Sequence, residues 1–327
     1  MRTFLSYTFI LLSYMGYAQV DSIYLRWKPD VRKFAYETAD GQLAVPSYFI
    51  WAQPFSEEGY AIARNCEGVV TCPFIIIDKT GATVYELRPN YLLVANQTRV
   101  SNGLFPVSDY NAASRFGFMN LKGELKVAPV FNQAASFSEG VACVEYRPLV
   151  VPRDTIYNLI YGRTRHVMFV EKTGKPILRL SDEYTMRDSR LAAENIFEFR
   201  EGLCPVYNIN TKKYGYINRK GELVIPCVYD VVGGFSEGVS YAAILKTNEE
   251  GLVQNSIGYI NKVGEWALLL PDEIANLSPY CFFRGDQFSG GLAEMYTIAT
   301  ESEANCKASG FLRISISGKI FEKSIHQ

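Results

Sequence analysis

Histidine is scarce in this chain: His166 and His326 are the only two in 327 residues, and neither has a second His or a Cys at metal-ligand spacing. No metal site and no cofactor is expected. His166, in Arg163-Thr164-Arg165-His166, reads as a solvated loop residue before a strand, and His326 as part of a tail. Surplus charge is missing too, with 33 Lys and Arg against 34 Asp and Glu. Nucleic acid, which needs a basic stripe, is therefore not an expected partner. After the amino terminus no apolar run approaches the roughly 18 residues of a membrane helix, so no transmembrane segment is expected in the mature chain. There is no Gly-x-Ser-x-Gly elbow, phosphate loop or zinc-protease helix. What remains is a globular composition, 48% hydrophobic and 14% aromatic.

Residues 1–18 read as a signal peptide. Arg2 supplies the positive start, Phe4 to Met15 an apolar stretch too short to span a bilayer, and Gly16 and Ala18 the small residues of a cleavage site. Cleavage is expected after Ala18, leaving residues 19–327 as one exported repeat domain, periplasmic or secreted.

The same tetrad recurs through that domain. Asn218-Arg219-Lys220-Gly221 is matched by Asp78 to Gly81, Asn120 to Gly123 and Asn261 to Gly264, and more weakly by copies ending at Gly41, Gly174 and Gly318. The seven glycines stand 40 to 54 residues apart, a period typical of repeat architectures. A short polar residue opening a turn bonds forward to the backbone, and glycine then takes the left-handed conformation that rejoins the partner strand. Each copy is thus a hairpin. Strand-forming pairs such as Tyr216-Ile217 precede the turn, and runs such as Leu223-Val224-Ile225-Pro226 follow it, with Pro expected to end the strand.

A second anchor also recurs: Phe137-Ser138-Glu139-Gly140, Phe199-Arg200-Glu201-Gly202 and Phe235-Ser236-Glu237-Gly238, with variants at Phe55 to Gly59 and Phe288 to Gly291 and a degenerate copy at Asn102-Gly103. Runs such as Leu223-Val224-Ile225 and Ala242-Ala243-Ile244 are apolar on both faces, so stacked units are expected to cover them. The fold class is all-β: seven tandem β-hairpin units, favoured as a seven-bladed β-propeller because closure removes exposed edges. An open β-solenoid or twisted array is the alternative.

Lys213-Tyr214-Gly215-Tyr216-Ile217-Asn218, continuing through Tyr229-Asp230 and Phe235 to Gly238, resembles the WG-repeat (KWG repeat) family of bacterial proteins. The family's tryptophan is replaced by Tyr214, Phe116, Phe74 and Ile257. The resemblance implies a repeat scaffold with no enzymatic activity of its own.

The anchor acids Glu139, Glu201 and Glu237 could form a carboxylate ring, and a glycosidase needs two carboxylates across a cleft. A residue recurring once per unit is more simply a turn element. Among seven cysteines, Cys66 and Cys72 bracket a small loop that a disulfide can close. Cys143, Cys204 and Cys227 read as core fillers. Recurring aromatics read as packing, which leaves Trp27 and Trp51, outside the repeat register, as ligand candidates. Copy-to-copy variation lies in insertions: Arg147 to His166, Cys66 to Cys72, Glu301 to Ser309, and Ser181 to Phe199, the last with Ser181 as a helix N-cap. The expected function is non-catalytic: binding of a protein or cell-envelope partner through loops on one face. A carbohydrate-binding module, or a glycosidase, is the alternative.

Overall fold

The tetrads close hairpins for the reason their chemistry suggests. In the computed structural model, Asn218 Oδ1 accepts from the amides of Lys220 and Glu222 at 2.9 and 3.1 Å, and Asn120 and Asn261 do the same. All seven turn glycines, Gly41, Gly81, Gly123, Gly174, Gly221, Gly264 and Gly318, have φ between +75° and +87°, where an L side chain is strained. The structure describes residues 23–38, 40–65, 72–93, 98–112, 115–146, 166–186, 197–246, 254–276, 281–299 and 309–326. Ala18 and Cys66 lie outside these.

Seven small antiparallel sheets form a ring, a seven-bladed β-propeller rather than an open array. Blades 2 to 7 each have four strands in chain order; among the described residues blade 1 has three. Blade 5 is representative: an innermost strand Tyr184–Thr185, then Leu203–Asn208, Lys213–Asn218 and the outermost Leu223–Tyr229. The anchor turns join innermost to second strands, and the Asn-x-x-Gly turns join third to outermost strands. In an antiparallel blade both connections lie at the same end, which leaves the second-to-third links and the links between blades at the opposite end.

Three expectations need correcting. Proline does not end the outer strands: Leu43–Phe49, Leu125–Phe131 and Leu223–Tyr229 run through Pro46, Pro129 and Pro226, because the outermost strand has a free edge where a missing N–H breaks no ladder. Leu223 and Val224 are exposed on that rim, and only Ile225 is buried. Ser181 caps no helix within 181–186; its hydroxyl bonds Glu183, and the chain turns into the innermost strand of blade 5. One helical turn, Asp272–Ala275, links blades 6 and 7. No helix among the described residues is long and apolar enough to cross a membrane.

The core is divided among the seams between blades. Six buried apolar clusters each join two consecutive blades, from 1/2 to 6/7. Tyr216 and Phe235, from blades 5 and 6, meet edge to face at 5.0 Å, and the Tyr216 hydroxyl donates to the Gly233 carbonyl at 3.1 Å.

Candidate functional site at the propeller axis

The anchors converge. Those of blades 2 to 7 surround a funnel of about 480 Å³ on the axis, on the face that carries the Asn-x-x-Gly turns. The anchors of blades 3 to 7 are two-residue reversals, with both Glu139 and Gly140, Glu201 and Gly202, and Glu237 and Gly238 at positive φ, whereas the blade 2 anchor has three residues between Ser56 and Tyr60. That pattern fits the hairpin turn whose twist matches its flanking strands.

The anchor glutamates act between blades. Glu139 accepts from the Gly202 amide at 3.0 Å, Glu201 from Gly238 at 3.1 Å, Glu237 from Gly291 at 2.9 Å, and Glu58 from Gly103 at 2.9 Å. Each carboxylate therefore clasps the anchor turn of the next blade. Lys262 backs Glu201 at 3.0 Å. Ser138 and Ser236 add hydroxyl bonds to the Phe199 and Phe288 carbonyls at 2.5 and 2.7 Å. The motif's Lys213 meets Asp230 at 2.5 Å, and Asp230 also accepts from the Leu245 amide. The recurring polar residues hold the ring together.

Chemistry beyond this lies where the anchors differ. The residue before the anchor's Phe-Ser pair is Pro54, Ser136 and Gly234 in blades 2, 4 and 6, but Arg99 in blade 3, Glu198 in blade 5 and Gln287 in blade 7. Blade 5 also carries Arg200 where the others have serine. Glu198 is fully buried; Arg99 bonds it across the axis, and Arg200 lies 3.6 Å from the same oxygen. Burial pushes the Glu198 carboxyl above its usual range, while the two guanidiniums pull it down. These residues carry no periodic signal. They are visible in the sequence only as departures from the copied anchor.

The other candidates lie elsewhere. Trp27 packs edge-on against Phe34 at 5.0 Å and Trp51 against Phe74 at 5.4 Å, and both residues are half-buried. Cys72 is disulfide-bonded. Cys143 and Cys204 are free and buried, with thiols pushed up by burial. His166 is not in a loop but opens the strand His166–Val170, its Nδ1 2.9 Å from Asp182 and 2.8 Å from Arg179. That bond is the main cause holding the Asp182 carboxyl below its usual range. No cluster of potential metal ligands occurs among the described residues.

The family model for the WG-containing repeat matches residues 116–147 and 214–249. No curated protein sequence matches the chain. Among solved structures, a complex of KlAtg21 with the coiled-coil of AgAtg16 is similar at 7% identity, covering 95% of this chain and 98% of that one, with a TM-score of 0.52. The β-propeller domain of the Trilobed protease from Pyrococcus furiosus matches at 8% identity, over 93% and 92% of the two chains, with a TM-score of 0.46. At 7% identity the first likeness shows the fold alone.

Proposed function

Because the chain carries WG-containing repeats closed into a seven-bladed ring, we propose that it is an exported, non-catalytic scaffold that binds a protein partner through the face opposite the funnel. One observation carries this reading: the recurring carboxylates are committed to backbone amides of neighbouring blades. A glycosidase instead needs a carboxylate pair facing across a cleft. Export rests on the leader at residues 1–18.

Variation supports the choice of face. The strand ends that the second-to-third links join lie on that side; the links take four residues in blade 1 (29–32) and in blade 5 (209–212), and 19 residues separate the two strands in blade 4. Loops of unequal length on one face of a rigid repeat are where specificity is built. Three of these links also expose apolar side chains: Val31, Tyr110 at 57% exposure, and Ile209. Large side chains exposed from separate blades, on a mixed polar surface, suit a protein partner.

The test is capture from envelope extract with the mature chain as bait, beside the variant Tyr110→Asp/Ile209→Asp and a glycan array. The expected result is a protein retained by the native chain and lost with the variant. Binding to defined sugars with no protein retained would replace this reading with the carbohydrate-binding one.

A further inference from the structure

Blade 1 differs from the other blades at the axis. In blades 2 to 7 an innermost strand pairs with the inner edge of the second strand, whereas no strand among the described residues pairs with that edge of Tyr24–Lys28. Burial follows the difference. The second strands Leu104–Asp109, Ala142–Tyr146, Leu203–Asn208 and Val239–Ile244 are almost wholly buried. In Tyr24–Lys28 only Leu25 is buried, and the Arg26 side chain is 44% exposed. A strand edge of this kind is a template for another strand.

The other blades show what such an edge receives. In blade 6, Val231 and Val232 pair with Ala243 and Ala242, and the amides of Asp230 and Gly233 donate to the carbonyls of Ala243 and Tyr241, both at 2.9 Å. Blade 2 repeats this with Ile50 and Gln53 on Arg64 and Ile62, and blade 4 with Asn132 and Ala135 on Glu145 and Cys143. Tyr24 faces Glu37, the residue before the blade 1 tetrad, as Ser240 faces Ile260 in blade 6. In that register Leu25 and Trp27 occupy the places of Tyr241 and Ala243, and their carbonyls are the equivalent acceptors. Counting back, Gln19 to Ser22 align with the anchor Phe235 to Gly238, and residues 15–16 with Val231 and Val232. Residues 15–16 belong to the leader. Cleavage after Ala18 therefore removes the stretch of this chain that the register assigns to the inner strand of blade 1.

From this geometry we infer that the mature protein completes blade 1 with an extended segment of another protein, added antiparallel to Tyr24–Lys28 with an acidic residue opposite Arg26. Main-chain bonds of the kind seen in the other blades hold the segment, and side-chain pairs across the two strands select it. Arg26 carries the choice of an acid. It stands where the other six blades have Ala63, Val107, Val144, Val206, Ala242 and Met295, and its pair with Glu37 spans 3.8 Å. This inference rests on the protein-binding reading and on removal of the leader. The end of the strand that pairs, at Trp27, lies towards the face opposite the funnel, so the same partner can reach it.

The probe is a labelled peptide of the blade 6 segment Tyr229 to Gly238 carrying Val232→Glu, titrated into the mature protein by fluorescence anisotropy. One control peptide carries Val232→Lys instead. Another adds Asp230→Pro and Gly233→Pro, which removes both donating amides. A chain in which Tyr229 to Gly238 replaces Gln19 to Ser22, joined to Ile23, supplies its own inner strand. Saturable binding of the glutamate peptide with slower amide exchange in Tyr24–Lys28 is the expected result. It should weaken tenfold or more with the prolines or with the self-completed chain, and severalfold with the lysine. No saturable binding, equal binding by the self-completed chain, or equal affinity for the glutamate and lysine peptides would overturn the inference. Self-association of the mature chain that the self-completed chain lacks would assign the edge to a second copy and overturn it as well. So would an exported chain that mass spectrometry shows to keep residues 15–16. Tyr110→Asp/Ile209→Asp leaves this edge intact: peptide binding that persists there supports the inference even where capture from envelope extract fails.

Discussion

The seam between blades 5 and 6 and the seam between blades 7 and 1 occupy equivalent places in the ring, yet they are built from opposite materials. Five residues before the turn glycine, blades 1 to 6 present Tyr36, Ile76, Phe118, Phe169, Tyr216 and Tyr259 towards the next blade; blade 7 presents Arg313. Four residues after the glycine the series is Val45, Tyr85, Val127, Leu178, Ile225 and Leu268, each in contact with the next blade's turn glycine, and then Glu322. On the receiving side, four before the glycine, blades 2 to 7 offer Ile77, Met119, Val170, Ile217, Ile260 and Ile314; blade 1 offers Glu37. No atom lies within 4 Å of where a Cβ of Gly41 would stand. Among the described residues no apolar cluster joins blades 7 and 1.

The charges at the 7/1 seam are satisfied within each blade. Glu37, 3% exposed, pairs with Lys28 and Arg26, and Arg313 pairs with Glu294 at 2.7 Å and Glu322 at 3.4 Å. Among the described residues every sheet is also made from one continuous stretch of chain, and no strand crosses the seam. Blade 7 also has Gly290 in place of the anchor glutamate, as blade 3 has Asn102, so neither passes a carboxylate clasp to the next blade. Burial of apolar surface locks six seams, and the seventh joins two blades whose charges are already paired. Elements with fewer shared apolar contacts open first, so the ring is expected to part between blades 7 and 1.

The largest effect should come from carrying the charge to the wrong seam. Ile260 is fully buried at the 5/6 seam, where Glu37 stands in blade 1. Ile260→Glu places a carboxylate there without the partners that Glu37 has. It should lower stability by about 4 kcal/mol or prevent folding, read from urea denaturation. A loss below about 1 kcal/mol would mean that the two seams do not differ in the way described.

Next comes a buried acid beside the charged seam. Asp286, after the innermost strand of blade 7, falls by strand alternation on the side of Arg284 and Glu294. Its Oδ2 is buried without a hydrogen-bond partner, and burial raises its carboxyl to about 7, with Arg284 opposing and Glu294 adding to the rise. The unfolded chain ionises near the ordinary value of about 4. Between pH 4 and 7 the unfolded state therefore loses a proton that the folded state keeps, and this contribution to stability falls as pH rises. Asp286→Asn should be near neutral at pH 4 and stabilising by a few kcal/mol above pH 7, with thermal melts at both pH values as the check. Equal effects at both would show that the carboxyl is not held neutral.

The repeat itself was legible because its residues answer to the backbone. A turn needing φ above zero needs glycine, and an Asn that bonds forward can be recognised without knowing what packs around it. The copied glutamates were visible but not their task, since Glu201 reaches Gly238, 37 residues away, only when two blades stand side by side. Arg99, Glu198, Arg200 and Gln287 were harder still, because they meet at an axis that exists only after closure. The outer prolines misled for a related reason: whether an N–H is needed depends on whether another strand lies beyond.

The clasps give a smaller test. Glu237→Gln keeps the length and an acceptor but loses the charge that strengthens the bond to the Gly291 amide. A loss of about 1 kcal/mol is expected, and more for Glu237→Ala. At the Gly290 position blade 7 has no clasp to lose, so Gly290→Ala tests only the local turn. If Glu237→Ala were also silent in urea denaturation, the clasp would not contribute to holding blades 6 and 7 together.

The smallest change is also the most direct repair of the odd seam. Glu322→Leu gives blade 7 an aliphatic side chain like those that contact the next turn glycine at five of the other six seams, the sixth using Tyr85, while Arg313 keeps Glu294 as its partner. Glu322 is exposed and its pair with Arg313 spans 3.4 Å, so losing it should matter little. Contact with the Gly41 turn should raise stability by about 1 kcal/mol. The effect should be local, slowing amide exchange in the strands Tyr24–Lys28 and Ile320–His326 and leaving blades 3 to 5 unchanged. Uniform slowing across all blades would mean that the ring opens as one unit, with the 7/1 seam no weaker than the others.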